Sequence, residues 1–416
     1  MSRRAVLSTL ALGSLSGRAL AALPPAFGGE LRLPAPGPLA LPHPSRRRSP
    51  FEAYVSRAVY APLSELGGAE VDGDQLTFVL HEGVMRHNHR PLEAREVLRS
   101  LARLLRTPMA HWLAPVARRG TRLDGEAVDT RTLRLRLAHT DVQIDRWLEC
   151  EALAPVVAPG VGAGPFRPRL IEGGLRLSQF RAGVRAPYLR RVFFGPARPR
   201  EDELRALVLG ELDGSWAGDS LLGERPTQAM RLRDLNRHSH VLLSASERRR
   251  RELGAIEGWL DRERLRRVGL SAERRIGGVG GPAAARLAIS GRRTLRLPAG
   301  DSFARALGEA LVALFDEQGI PLRLLESGSA DFALAQSSPA LPGSQRAAVA
   351  DALAQTGERG AAAQVLEALR PRPAEAPRLN ALVLGRRALT LHLDADVSGG
   401  PNLWDFHLPR RRIEVP

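Results

Sequence analysis

The sequence predicts a mixed α/β protein folded into two or three compact lobes, and three observations carry that expectation. Residues 294–325 read strand, helix, strand, the pattern of a βαβ unit whose parallel strands are neighbours joined by a right-handed crossover. Thr132-Leu133-Arg134-Leu135-Arg136-Leu137 alternates strictly between apolar and polar residues, as a half-buried strand with its arginines toward water does. The chain has 416 residues, enough for several lobes that each bury a core of their own.

The elements follow in order. Gly28-Gly29 turns into a short alternating strand over 30–33. Prolines and arginines dominate residues 34–50, which read as an extended connection with little regular structure. A strand is expected at 76–80, then a loop over 81–91. The next segment places Ala94, Val97, Leu98, Leu101, Leu104 and Leu105 on one helical face, with Glu93 and Glu96 in the first turn and Arg103 and Arg106 in the last, as the helix dipole favours. Residues 175–180 read as another strand. Leu307, Ala310, Leu311, Leu314 and Phe315 mark a second amphipathic helix over 303–318, with Gly319 as its C-terminal stop. Two separate strands, 381–384 and 388–393, close the fold. No internal repeat is visible.

Hydrophobic residues make up 44% and charged residues 25%, which excludes both wholesale disorder and a multi-span membrane protein. The net charge of +16 raises the question of nucleic acid, but all 61 basic residues are arginine and they are scattered. The runs at 46–48, 248–251 and 410–412 belong to no helix-turn-helix, zinc-finger or RNA-binding signature, so no nucleic-acid partner is expected. Cys150 is the only cysteine, which excludes an intramolecular disulfide. Ser2-Arg3-Arg4 and the apolar stretch to Leu20 form a twin-arginine-like signal over residues 1–21, with cleavage expected after Ala21.

Several segments form an ordered set. After the strand at 30–33 come Tyr60-Ala61-Pro62-Leu63, then Leu76-Thr77-Phe78-Val79-Leu80-His81-Glu82-Gly83-Val84 with His87 and Pro91-Leu92. Gly162-Ala163-Gly164-Pro165-Phe166, Gly210-Glu211-Leu212-Asp213, Ala255-Ile256 through Leu265, and Asp331-Phe332-Ala333-Leu334 follow. In this order they resemble the family-5 extracellular solute-binding proteins, the oligopeptide, dipeptide and nickel binders of ATP-binding-cassette importers. The sequence departs from that pattern at Asn88-His89, where Asp-Gly is usual, and at Glu93, where a capping Thr is usual. The Trp-and-Asp segment expected after Leu334 is missing, so the second lobe is read as abbreviated.

The resemblance implies a two-lobed type II periplasmic-binding-protein-like fold with an extra N-terminal subdomain, its mixed sheets flanked by helices. Lobe I takes its first segment from 28–48, the extra subdomain from 49–159 and its second segment from 160–245. Lobe II spans 246–378, and 379–416 return to lobe I. Hinges are expected at 160–165 and near 242–246. The implied function is an exported, periplasmic protein that captures a small or peptide-like solute between its lobes and delivers it to an ABC permease in the inner membrane. It would act as a monomer, with no enzymatic activity and no cofactor. The alternative is a degenerate clamp serving as a sensory or structural interaction module.

Family-like topology points to Tyr60, His87, Trp216 and Ser337 as ligand-binding residues near the lobe junction. Trp216 and Tyr60 are open to either reading, since a large aromatic stacks on a ligand or simply fills a core. The close histidine pairs His87/His89 and His238/His240 have no neighbouring carboxylate or thiolate at a familiar spacing, and no metal site is expected. No nucleophile elbow, zinc-protease helix or phosphate loop appears, and the glycine-dense stretch 277–281 lacks the lysine a phosphate loop requires.

Overall fold

The computed structural model describes residues 27–36, 39–46, 49–216, 230–249, 251–260, 262–267, 270, 289, 291–298, 302–341, 344–356, 361–371, 381–394 and 396–409. The signal segment 1–21, the glycine-dense stretch 277–281 and the arginine run 410–412 lie outside them.

In chain order the N-terminal half contains β1 (Glu30–Pro34), α1 (Pro50–Val59), α2 (Leu63–Leu66), β2 (Gly67–Asp72), β3 (Gln75–Leu80), α3 (Ala94–Leu104), the short strands β4 (Arg118–Arg119) and β5 (Arg122–Leu123), β6 (Gly125–Ala127), β7 (Thr132–Arg136) and α4 (Ile144–Leu148). It continues with β8 (Phe166–Ile171), β9 (Gly174–Gln179), β10 (Arg191–Gly195), α5 (Arg200–Val208) and β11 (Gly214–Ser215). The C-terminal half contains β12 (Met230–Ala245), α6 (Glu252–Trp259), α7 (Arg262–Arg267), β13 (Arg293–Arg296), α8 (Ser302–Glu317), β14 (Leu322–Leu325), β15 (Phe332–Ser337), α9 (Gln345–Thr356), α10 (Ala361–Leu369) and β16 (Ala381–Asp394). The expected βαβ unit is present, with β13 and β14 adjacent and parallel. Gly319 ends α8 at φ +70°, the left-handed conformation that spares glycine a steric penalty.

Three sheets organise these elements. The first has the order β1-β10-β9-β8, the second β2-β3-β7-β6 and the third β11-β16-β12-β15-β13-β14. Alternation decides the inner faces. In the first sheet Leu31, Leu33, Leu175, Leu177, Val192 and Phe194 turn inward against Phe51, Tyr54 and Val55 of α1. In the second, Leu76, Phe78, Leu133 and Leu135 pack on Val97 and Leu101 of α3, as the period of that helix predicts. In the third, Leu295, Phe332 and Leu334 meet Leu307, Leu311 and Phe315 of α8.

The chain passes between halves through β12 and β16, a long antiparallel pair that belongs to two cores. Leu235, Leu391 and Leu393 lie in the core of the first sheet, whereas Val241, Leu243, Leu382 and Leu384 lie in that of the third. The two strands expected at 381–384 and 388–393 are therefore one, because β12 runs alongside and carries the ladder across Gly385 and Arg387. The pairing slips between Asp234 and His238 and again between Val241 and Leu242. Such bulges bend and twist a strand locally.

Residues 160–165, expected as a hinge, pack closely on the end of α1. A Cβ on Gly162 would lie 2.5 Å from the carbonyl oxygen of Val59, and one on Gly164 would lie 2.6 Å from the same atom. The glycine repeat serves close approach to the end of α1, and the second expected hinge, near 242–246, falls on the last residues of β12, next to its slip at Val241/Leu242. The departure at Asn88-His89 is accommodated by His89 itself, which adopts φ +58°.

Candidate functional site at the junction of three units

The last turn of α1 presents Arg57, and α2, starting four residues after that helix ends, presents Glu65. Arg57 forms an ion pair with Glu65, and its Nε stands 3.6 Å from Glu151 Oε1. Arg185, from the loop after β9, donates to Glu65 Oε1 at 2.9 Å. Both guanidinium groups lie over Trp404, at 5.0 and 5.8 Å from its ring centroid, within cation–π range. Two arginines thus face two glutamates, which is what burial of charge requires. Yet three buried polar atoms of this cage have no partner: Arg57 Nη1, Glu65 Oε2 and Trp404 Nε1. Buried groups normally find partners, which singles this cage out as the candidate site.

Glu151 links this cage to the C-terminal half. Its backbone N–H donates to the carbonyl of Ala340 at 2.8 Å, and the N–H of Ala340 donates to Asp351 Oδ2 at 2.8 Å. Asp351, fully buried in α9, also accepts from Trp112 Nε1 at 2.6 Å and faces His111 Nε2 at 2.8 Å. The surroundings are apolar: Ala340, Leu341, Ala347, Ala350, Val365 and Leu369 share one core with Trp112, Trp147 and Leu153 of the N-terminal half. At the rim, Arg370 Nε donates to Asp141 at 2.6 Å.

The four residues picked out by topology fall into two groups. Tyr60 and His87 are both brought onto residues 160–164. The Tyr60 hydroxyl donates to the Pro42 carbonyl and accepts from the Gly160 N–H, each at 3.1 Å, and burial pushes its pKa up to about 12. His87 Nδ1 accepts from the Gly162 N–H at 3.2 Å while Nε2 donates to the Gly164 carbonyl at 3.1 Å. This is a neutral ring, and burial lowers its pKa below the ordinary value. Trp216 and Ser337 stand elsewhere. Half-buried Trp216 donates Nε1–H to the Pro34 carbonyl at 2.6 Å and packs edge-on against Phe51 and Tyr54. Ser337 is buried on β15 in register with His240 of β12, and its Oγ has no partner.

The histidine pair His87/His89 packs around Phe180, with ring centroids 5.1 and 5.3 Å away. Among the described residues no group of three or more His, Cys, Asp or Glu side chains is placed to hold a metal ion. None of the described helices is long and apolar enough to cross a membrane.

Sequence reasoning missed Arg57, Glu65, Arg185 and Trp404, which come from four separate segments with no shared motif. It also missed Asp351, for which a signal existed: Arg346 apart, Asp351 is the only charged residue in the helix Gln345–Thr356, and its neighbours from Ala347 to Leu353 are all Ala, Val or Leu. A lone acid on an all-apolar helix must have a partner waiting.

Two lobes threaded by a shared strand pair, with an added N-terminal subdomain, define the fold of the periplasmic substrate-binding proteins. Solved structures bear this out. The binding protein AgaA of A. tumefaciens R10, in complex with agropinic acid, superposes with a TM-score of 0.69 at 15% identity, covering 92% of this chain and 99% of that one. The periplasmic binding protein DppA of Helicobacter pylori, in complex with the peptide STSA, gives 0.67 at 14% identity, covering 92% and 98%. The murein tripeptide binding protein MppA of Escherichia coli gives 0.65 at 15% identity, covering 92% and 99%. No protein-family model matches the sequence, and no curated protein matches it.

Proposed function

We propose that this chain is an exported substrate-binding protein of an ABC-type importer, holding a small or peptide-like solute where its lobes meet and passing it to a permease in the inner membrane. The observation that carries this reading is the set of orphaned atoms in the cage. An acceptor group of the solute would take Arg57 Nη1 and Trp404 Nε1, and a donor group would take Glu65 Oε2. Ser337 Oγ, likewise without a partner, would serve the solute from the third sheet. Tyr60, His87 and Trp216 spend their polar atoms on main chain and would shape the walls. The boundaries of the lobes would follow 28–48, 49–159, 160–245, 246–378 and 379–416, and motion would be taken up at the bulges of β12 and β16. Export through the segment 1–21, a periplasmic location and monomeric, non-enzymatic action belong to the same reading.

A thermal-shift screen over peptides, opines, amino acids, sugars and metal ions tests it. A ligand that binds only the folded state at one hundred times its Kd stabilises by about 2.7 kcal/mol. Stabilisation by one chemical class, lost in Arg57→Ala, is the expected result. Silence across every class would overturn capture.

One observation favours a second reading, a non-transport interaction module. The continuous core around Asp351 ties the extra subdomain to α9 and α10, as in a clamp held shut. X-ray scattering separates the two: a capture protein changes its radius of gyration with ligand, and a locked module does not.

A further inference from the structure

The first sheet has one face against α1 and another that the described residues leave open. Register places Glu30 and Arg32 of β1, Arg191 and Phe193 of β10, Arg176 and Ser178 of β9, and Arg167 and Arg169 of β8 side by side on that outer face. Arg32, Arg167, Arg169 and Arg191 are exposed, and Arg176 is half-buried with no partner for its Nε. Among the described residues these five arginines share one glutamate, Glu30, which pairs with Arg32 at 3.1 Å and Arg191 at 3.8 Å. Arg167 reaches only a carbonyl, that of His87 at 3.4 Å.

The outer face of the second sheet supplies the contrast. It too carries exposed arginines, but Arg134 stands 3.9 Å from Glu126 and Arg136 stands 2.6 Å from Asp74. An ordinary solvated face of this protein is neutralised by its own acids, and the first sheet's is not. Adjacent strands stand about 4.8 Å apart, inside the Debye length of about 8 Å at physiological salt, so charges on neighbouring strands act together.

We propose that this arginine face of β1, β10, β9 and β8 docks the protein on an anionic lipid surface, the phosphate headgroups of a bilayer. A flat sheet presents its cations in one plane, as a layer of headgroups presents its phosphates, and the attraction near such a surface amounts to a factor of about five per arginine. Sheets that read single-stranded RNA stack two or three bases on aromatic rings, whereas this face offers only half-buried Phe193. The inference goes beyond solute binding and does not depend on it.

Sedimentation of the full chain with vesicles of phosphatidylglycerol and phosphatidylcholine at about 0.1 M salt tests it. Binding should vanish on pure phosphatidylcholine. The pair Arg169→Thr/Arg191→Thr should weaken partition on the order of twentyfold. Arg134→Thr/Arg136→Thr, with the same change in charge on the second sheet, should leave it within about twofold. Arg169→Lys/Arg191→Lys should retain binding, since a planar field of phosphates reads charge rather than the guanidinium fork. Equal losses from the two threonine pairs would reduce the effect to bulk charge. Failure to bind anionic vesicles, loss of binding in the lysine pair, or a single-stranded oligonucleotide that depends on the same arginines more strongly than the vesicles do, would each overturn the proposal.

Discussion

Asp351 and Trp112 are 239 residues apart in sequence, and the indole N–H of Trp112 meets the carboxylate of Asp351 at 2.6 Å, both residues being fully buried. The same carboxylate faces His111 Nε2 at 2.8 Å and accepts from the Ala340 N–H at 2.8 Å. His111 Nδ1 in turn faces the Pro108 carbonyl at 2.9 Å. One side chain therefore gathers the polar contacts between residues 108–113 and α9 within the apolar core they share.

Asp351→Ala should be among the most damaging single changes. It removes the acceptor of the buried Trp112 and Ala340 N–H groups and the partner of His111 Nε2, and stranding partners of a buried polar network costs on the order of 3–5 kcal/mol. Urea unfolding gives the loss. Hydrogen exchange gives its location: protection should fall together in α9 and in residues 108–113. A rise in exchange confined to α9 would show that Asp351 stabilises its own helix and nothing across the junction.

Acid should weaken the fold through two histidines. Burial, aided by Arg46 and Arg103, pushes His43 down to about 4, and its Nδ1 is already the acceptor of the Ser45 N–H at 3.2 Å. His87 is lowered by burial in the same direction. The unfolded chain binds protons at about 6.5 that the folded chain refuses, so stability rises with pH in this window. It is complete above about 6.5 and is lost as pH falls toward 4. The slope of melting temperature against pH between these limits should be reduced in His43→Gln. An unchanged slope would remove His43 from the account.

Gly164 and Gly83 separate two causes of strain. A methyl on Gly164 would lie 2.6 Å from backbone atoms of Val59, which cannot move without shifting α1. Gly83, at φ +76°, has nothing within 4 Å. Gly83→Ala should cost about 1 kcal/mol from conformation alone, and Gly164→Ala should exceed it by about 1–3 kcal/mol from overpacking. Denaturant midpoints of the two variants check the order.

The parts of the fold that were legible in the sequence are those that short-range periodicity writes. Val97, Leu101 and Leu104 announced α3, Leu133 and Leu135 announced β7, and residues 294–325 announced two parallel neighbours. The strand pair that joins the halves was not legible. Asp234, His238, Gly385 and Arg387 break any alternation, and their strand conformation comes from pairing with a distant segment, as of His238 with Ala388 and Val241 with Gly385, rather than from local preference. The cage was illegible for a related reason. Arg57, Glu65, Arg185 and Trp404 acquire meaning only when α1, α2, the loop after β9 and the turn at Leu403–Asp405 are folded against one another. Tyr60 and His87 were singled out for ligand binding, and the contact they share is with the glycine segment 160–164, which both brace.

The cage makes a last prediction that a purely structural cluster would not. Trp404 is 6% exposed and its Nε1–H has no acceptor, although the ring is flanked by two guanidinium groups. In Trp404→Phe the ring contact persists while the orphaned donor disappears. Lost packing and the relief of an unsatisfied group oppose each other, so the stability of the unliganded protein should change by no more than about 1 kcal/mol. Any ligand found by thermal shift should lose much of its stabilising effect in the same variant, because it loses the donor it was bound by. Were the donor instead satisfied within the folded chain, Trp404→Phe would destabilise the empty protein and leave the ligand-induced shift intact. Melting curves of the two proteins, with and without the ligand, distinguish these outcomes in a single experiment.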